Sequence, residues 1–461
     1  MASTKKSRRS ELPERLATFL NETVKSGQAL VIGLSGGLDS CVLLHLLTTA
    51  RDRHQFHLHA VHVNHGISPN SDRWSQFCAG LCAACNVPFT SENVHVPRDS
   101  GLGIEAAARE ARYRVLLARP EDAVILAHHR DDQAETLLLQ LLRGSGVKGL
   151  AAMPKISAIS GSLGQDVSVP LAGEAPGKQV KHILRPLLDI PRSALEAYAV
   201  EHGLRWIEDE SNLDLAYDRN FLRHHVFPEI EKRFPASRTT LARSASHFAE
   251  AAELLDEVAA ADAELYVQDG GLEIAGLRVL SASRGRNLLR YWLSSYLAAP
   301  PSTRRLQEAY RQLLGARADA QLCVALDGGE LRRYRDHAIF EKNTGAQPLH
   351  LAWRGEGEIK LPSGVLTFER RLGQGISSSR VGDRLEIRSR TGGERFRPDQ
   401  RRPTRSLRHL LQEAGMPPWE RASLPLIYFG EKLAAVPGIG VACEFQATPD
   451  EEGWLIGWKR G

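Results

Sequence analysis

Cysteine is scarce: the 461-residue chain has six, too few for a disulfide framework and in keeping with a reducing cytoplasm. Long apolar runs are missing as well. None approaches the roughly 20 residues that cross a bilayer, so no membrane segment is expected. The start, Met1 to Arg9, is basic but runs into Glu11 and Glu14 without the apolar stretch of a signal peptide, so export is not expected. Neither sign of charge is in excess: 59 Lys+Arg stand against 55 Asp+Glu, a net +4, and this total says little about partners. The pattern G-x-x-x-x-G-K-[ST] does not occur, which excludes the common nucleoside-triphosphate P-loop.

What is present is the composition of a globular protein, 42% hydrophobic and 25% charged. The chain is long enough for two to four domains at roughly 100–200 residues each. From residue 29, apolar runs (Ala29 to Leu34, His57 to Val63, Val94 to Val96, Ala123 to Ala127) alternate with helical patterns near Asp72 to Cys85, Gly103 to Leu117 and Asp131 to Leu142. Strict alternation predicts an α/β domain with a parallel, doubly wound sheet. A Gly-, Ser- and Pro-rich stretch, Ser157 to Val180, reads as an irregular insertion. From Thr239 to Leu265 the chain is Ala-, Glu- and Leu-rich with helical spacing, and beyond Leu349 runs shorten and glycine turns multiply. The expected division is a catalytic domain over 1–225, a small helical domain over 226–345, and a mixed α+β domain over 346–461. Arginines crowd the last part, from Arg380 through Arg388, Arg390, Arg395, Arg397, Arg401, Arg402 and Arg405 to Arg408. Such a run is either a solvated face or a phosphate-backbone contact.

The chemistry concentrates in the first domain. Ser35-Gly36-Gly37-Leu38-Asp39-Ser40 joins an apolar strand to a helix. A glycine pair at that junction leaves backbone N–H groups aimed at one spot with the helix dipole behind them, a phosphate cradle. The hydroxyls of Ser35 and Ser40 add donors, and Asp39 supplies a carboxylate for a magnesium ion bridging phosphates. Asn64 and His65, at the end of the second strand, can hold a purine ring or a ribose, or simply form a turn. Glu105, Arg109 and Arg112 share one side of a helix; the two guanidiniums can hold phosphate oxygens, or Glu105 and Arg109 form an ordinary helical ion pair. His128-His129-Arg130-Asp131-Asp132-Gln133-Ala134-Glu135 is the densest polar cluster. Asp131 or Asp132 can cap the helix, while Asp132 and Glu135 share a face suited to a second magnesium or to the ammonium of an amine substrate. Adjacent histidines have poor geometry for one zinc ion. Trp206 to Asn212, followed by Tyr217, Arg219, Asn220 and Arg223, has the length and polarity of a loop closing over a polyanionic substrate. Cys78, Cys82 and Cys85 fall on one helix face, where they are either a metal site or small buried apolar residues; no second Cys pair lies nearby, which favours burial.

In this order, S-G-G-L-D-S, V-N-H-G, E-A-A-A-R-x-x-R-Y, A-H-H-x-D-D-Q-A-E-T, R-P-L-L and E-D-x-S-N resemble the tRNA(Ile)-lysidine synthase family. The likeness spans most of residues 29–225 and returns at Gly392-Gly393-Glu394-Arg395 and Pro417-Pro418-Trp419-Glu420-Arg421. Ser68 departs from the arginine the family often carries there. The resemblance implies a pyrophosphate-loop ATPase fold. It implies ATP on Ser35, Gly36, Gly37, Leu38, Asp39 and Ser40 with its adenosine near Asn64 and His65, and Mg2+ on Asp39 with a second possible at Asp132. It implies attack by the wobble cytidine of tRNA(Ile) with a CAU anticodon on the α-phosphorus, then displacement of AMP by lysine held by Asp132 and Glu135. Arg109 and Arg112 would neutralise the α-phosphate, and a carboxylate or a histidine such as His128 would assist deprotonation, the sequence not choosing between them. The lysidine formed pairs with A instead of G and switches reading from AUG to AUA. Two alternatives are a tRNA thiolation enzyme of the same superfamily, whose only foothold is Cys82-Ala83-Ala84-Cys85, and a non-catalytic RNA-binding protein with a vestigial nucleotide site. The oligomeric state stays open, a homodimer included.

Overall fold

The computed structural model describes residues 11–96, 104–159, 181–297, 300–317, 322–342, 349–382 and 384–460. The basic N-terminal tail and nearly all of the Gly/Ser/Pro-rich insertion lie outside these residues. The chain divides into two compact units, Met1–Gln268 with Ala275–Arg311, and Asp269–Ile274 with Gln312–Gly461.

The first unit opens with α1 (Leu12–Thr23), β1 (Ala29–Gly33), α2 (Leu38–His54), β2 (His57–Asn64), α3 (Ser71–Ala84), β3 (Phe89–Asn93), α4 (Ile104–Leu117), β4 (Ala123–Ile125) and α5 (Arg130–Leu142). It continues through α6 (Val147–Leu150), β5 (Ile156–Ile159), β6 (Lys181–Leu184) and α7 (Arg192–Glu201). The strands form one sheet in the order β3-β2-β1-β4-β6-β5, parallel except for β5 against β6. Strand side chains alternate between faces, and both faces are dry. Leu30 and Ile32 pack with α1, α2 and α7, whereas Val31, Val61, Val124 and Ile183 pack against Tyr113 and Leu116 of α4. Burial on both sides is what a parallel sheet needs. The order reverses between β1 and β4, so the crevice beyond their carboxyl ends is where a ligand belongs in this architecture.

The third strand lies at Phe89–Asn93 rather than at Val94 to Val96. Pairing with β2, from Ala60↔Phe89 to Asn64↔Asn93, chose the segment and left the more apolar triplet beyond its end. A short helix α8 (Asp218–Phe221), a π-helical turn (Leu222–Val226) and α9 (Phe227–Arg233) lead into the 30-residue α10 (Ser237–Tyr266). Helix α10 packs on α5 and α6 through Leu241, Ala245 and Phe248 against Leu137 and Leu150. Lys148 and Arg290 both reach Asp256 of α10, at 2.6 and 2.9 Å. The residues read as a separate helical domain are thus distributed: α10 and the helix Ala282–Ser294 sit with the α/β sheet, and the strands from Cys323 on belong to the second unit. Helical periodicity shows that a face is buried but not against what.

The second unit is antiparallel. Cys323–Leu326, Gly329–Tyr334 and His337–Lys342 form a meander joined by Gly271–Glu273. Farther on, two sheets enclose one core, in which Trp353 stacks on Phe368 at 4.7 Å and meets Trp454 edge-on at 4.9 Å. The arginine run splits in two. Arg388, Arg390 and Arg405 pair with Glu386, Glu394 and Glu413, while Arg397, Arg401 and Arg408 are exposed.

Candidate functional site

At the end of β1 the chain turns into α2 through Gly36, whose φ of +85° suits glycine. A Cβ there would lie 3.1 Å from Cys78 Sγ and 3.2 Å from Ile207 Cδ1, and Gly36 O accepts Ile207 N–H at 2.8 Å. The loop is therefore clamped between α3 and the 207 segment. Helix α2 begins at Leu38 with no side-chain cap, so its first-turn N–H groups have no helical acceptor. Ser35 Oγ and Ser40 Oγ lie 3.1 Å apart beside them. Asp39 Oδ1 is buried without a hydrogen-bond partner, and Oδ2 is 3.6 Å from His129 Nε2.

His129, not an aspartate, caps α5. Its Nδ1 accepts from Asp131 N and Asp132 N while Asp132 Oδ2 accepts from His129 N at 2.9 Å, a reciprocal capping box. An imidazole nitrogen in this role is invisible to rules based on Ser, Thr, Asp and Asn. Asp132 Oδ1 accepts from Arg219 at 2.8 Å and from Arg223 at 3.4 Å. Burial alone would raise its pKa, but His129 and Arg219 hold the carboxyl well below the usual range. Glu135 is fully buried; Arg219 and Arg223 each donate to it at 2.8 Å, and Arg238 of α10 stands 3.6 Å away. Arg238 also stacks over Phe227 at 4.3 Å. It escaped the sequence reading because it begins a helix far from every motif.

A cavity of about 450 Å³ opens where these elements meet. It brings together Ser35, Asp39, Ser40, Asn64, His65, Arg109, Arg112, His128 and Asp132, and adds Arg219 and Arg223. Gly36, Gly37, Leu38 and Glu135 do not line it. Asn64 closes its own turn, accepting from Gly66 N at 2.9 Å and donating to Asp72 at 3.2 Å. His65 has both ring nitrogens buried and unpartnered, and burial, then Arg112, pushes its pKa down to about 4. His128 Nδ1 is likewise unpartnered; burial outweighs Asp132 and keeps the ring neutral. Arg109 donates to Tyr113 OH at 3.1 Å, whereas Arg112 makes no ion pair among the described residues. Trp74, on α3, also lines the cavity; the sequence reading missed it, although an aromatic one turn before Cys78 on the same side of the helix was a usable signal. Cys78 and Cys82 are buried in the main core, and burial pushes the Cys82 thiol up to about 12, so neither is a ready nucleophile.

Three known protein families match segments of the chain. The PP-loop domain family matches residues 9–230, the TilS substrate-binding domain matches 272–339 and the TilS substrate C-terminal domain matches 385–458. A tRNA(Ile)-lysidine synthase of Nitrosomonas europaea is 43% identical across 99% of this chain and 98% of its own. The chain belongs to the tRNA(Ile)-lysidine synthase family. A lysidine synthase of Coxiella burnetii is 38% identical over 96% of each chain. Among solved structures, the U34-tRNA thiolase NcsA from Methanococcus maripaludis aligns over 52% of this chain and 79% of its own, with 18% identity and a TM-score of 0.42. That likeness is too distant to bear on the lysidine synthase assignment. The expected parallel α/β domain, helical region and mixed C-terminal part are all present in this member of the lysidine synthase family. Among the described residues no helix is long and apolar enough to cross a membrane.

Proposed function

We propose that this chain joins lysine to the wobble cytidine of tRNA(Ile) with a CAU anticodon, consuming ATP and releasing AMP and pyrophosphate in the cytoplasm. The observation that carries it is the meeting, in one cavity, of an uncapped helix N-terminus, the unpaired Arg112 and the carboxylate of Asp132. The first suits phosphates, the second a developing phosphate charge, the third an amine. Sequence identity to lysidine synthases over the whole chain supports the choice of substrates.

The phosphates of ATP would accept from the first-turn N–H groups of α2 and from Ser35 and Ser40. The buried Oδ1 of Asp39 accepts no hydrogen bond, with Arg192 Nε 4.0 Å away, and fits a hard cation, so Asp39 would hold magnesium, which neutralises phosphate charge when bound. Both oxygens of Asp132 are already engaged, which argues for one ion at Asp39 rather than a second at Asp132. Oxygen 2 of the cytosine attacks the α-phosphorus as the bond to pyrophosphate breaks. Arg112, with Arg109, neutralises the α-phosphate. The lysine side-chain amine then bonds to ring carbon 2; the carbon–oxygen bond breaks and that oxygen leaves with AMP. Asp132, whose Oδ1 is shared by Arg219 and Arg223, faces the incoming amine when those guanidiniums swing out. Glu135 reaches it only if Arg219 and Arg223 swing out, and otherwise acts by holding those two guanidiniums. Neutral His128 takes the proton released as the carbon–nitrogen bond forms.

Pyrophosphate exchange tests the order. Labelled pyrophosphate is expected to enter ATP when tRNA is present and lysine absent. Exchange that needs lysine but not tRNA would mean that lysine, not cytidine, is adenylated, and would overturn the scheme.

A further inference from the structure

Beside the catalytic cavity lies a second recess of about 630 Å³. Trp74 lines both, so the two share a wall. The second is bounded by Phe77 one turn farther along α3 and by Trp206, and its rim carries Arg73 and Arg205. Both arginines are exposed, and neither has an ion-pair or hydrogen-bond partner among the described residues. The rim is held in shape, since Asn70 Nδ2 donates to Glu210 at 2.7 Å and ties the turn before α3 to the 207–213 segment. Nothing in the chemistry derived above uses this recess.

Aromatic walls with free guanidiniums at the mouth are the composition of a stacking site for single-stranded nucleic acid. A base modified in the cavity must leave its stack, and its neighbour, still joined through one phosphate, must lie within a nucleotide's reach. The wall shared at Trp74 meets that requirement. We infer that this recess binds the nucleotide on the 3′ side of the target cytidine. Its base would stack against Trp74 and Trp206 and its phosphate would lie on Arg73 and Arg205; the assignment rests on the proposed activity on a CAU anticodon. That anticodon puts adenosine at this position. Adenine has the broad purine face that stacks well, and an exocyclic amino group that the exposed Glu208 carboxylate at the recess can accept.

The test uses full-length protein and a tRNA(Ile) transcript with 2-aminopurine in place of that adenosine. Its fluorescence is expected to be quenched on binding to the wild type. In the double variant Arg73→Glu, Arg205→Glu the quenching should be lost and KM for tRNA should rise at least about tenfold, as loss of phosphate contacts weakens binding. KM for ATP should not change, which also reports that the variant is folded. If the wild type attaches lysine but shows no quenching, or the double variant keeps its KM for tRNA, the recess is not this subsite and the synthase assignment stands. If the wild type attaches no lysine to the unmodified transcript, both fall together.

Discussion

Three guanidiniums converge on one buried carboxylate, Glu135, and a fourth, Arg112, lines the adjoining cavity, where burial and the neighbouring Arg109 and Arg219 oppose its charge and nearby Asp209 favours it. These two arrangements have different consequences. Removing the Glu135 charge takes from Arg219, Arg223 and Arg238 the acceptor they share and leaves Arg219 and Arg223 to Asp132 and Arg238 to Asp131 and Glu231, and breaking a buried network of this kind costs up to about 3–5 kcal/mol. Glu135→Gln should therefore lower the urea midpoint sharply; an unchanged midpoint would show that the network carries no stability. Arg112→Ala should leave the midpoint nearly unchanged and lower turnover about 10²–10³-fold, as loss of a charge-stabilising donor does. Steady-state kinetics beside the urea curve separate the two effects. His65 gives a pH test. Its pKa stands near 4 in the folded chain against an ordinary 6.5, so between these values the unfolded chain binds a proton that the folded one refuses. Stability then falls as pH drops from 6.5 toward 4. In His65→Asn the decline of Tm over that window should be shallower, and an identical decline would mean that the ring is not held neutral.

At the scale of elements, the loop between β1 and α2 is the part whose form its residues dictate most directly. Gly36 combines a φ of +85° with packing against Cys78 and Ile207, so Gly36→Ala has both strain and crowding to relieve. It is expected to cost about 1–3 kcal/mol and to weaken ATP binding, measured by titration calorimetry; ATP affinity equal to the wild type would show that the loop tolerates a side chain. Much of this was legible because glycine pairs, hydroxyls and a carboxylate at a strand end have few other uses. The loop, β2, α4 and α5 fall within a residue or two of where periodicity puts them. The third strand was misplaced, since partner register and not local apolarity selects Phe89–Asn93. Either Asp131 or Asp132 can cap α5 on sequence grounds, and only the folded arrangement reveals that His129 Nδ1 faces the free N–H groups. Glu135 was legible as a site residue, but not its enclosure, because Arg219, Arg223 and Arg238 lie more than eighty positions away in sequence.

At the scale of the molecule, long-range pairing decides what sequence could not. Helix α10 reads as the start of a separate domain, yet its Ala-rich stripe seats it on α5 and puts Arg238 against the carboxylates there. The second unit keeps Arg397, Arg401 and Arg408 exposed while neighbouring arginines are spent on local acids. We propose that it holds the tRNA body through those exposed groups. Replacing the three with glutamine should weaken tRNA binding and make the slope of log affinity against log salt shallower by up to about 3. A filter-binding series over salt would show this, and an unchanged slope would remove these residues from the contact. The most direct measurement is incubation of the protein with ATP, magnesium, radiolabelled lysine and tRNA(Ile) of CAU anticodon, followed by mild alkaline deacylation. Acid-precipitable label that survives the alkali is expected, because lysine joined to a base is not an ester. Label that is lost with alkali, or none at all while ATP is still cleaved to AMP, would contradict lysidine formation.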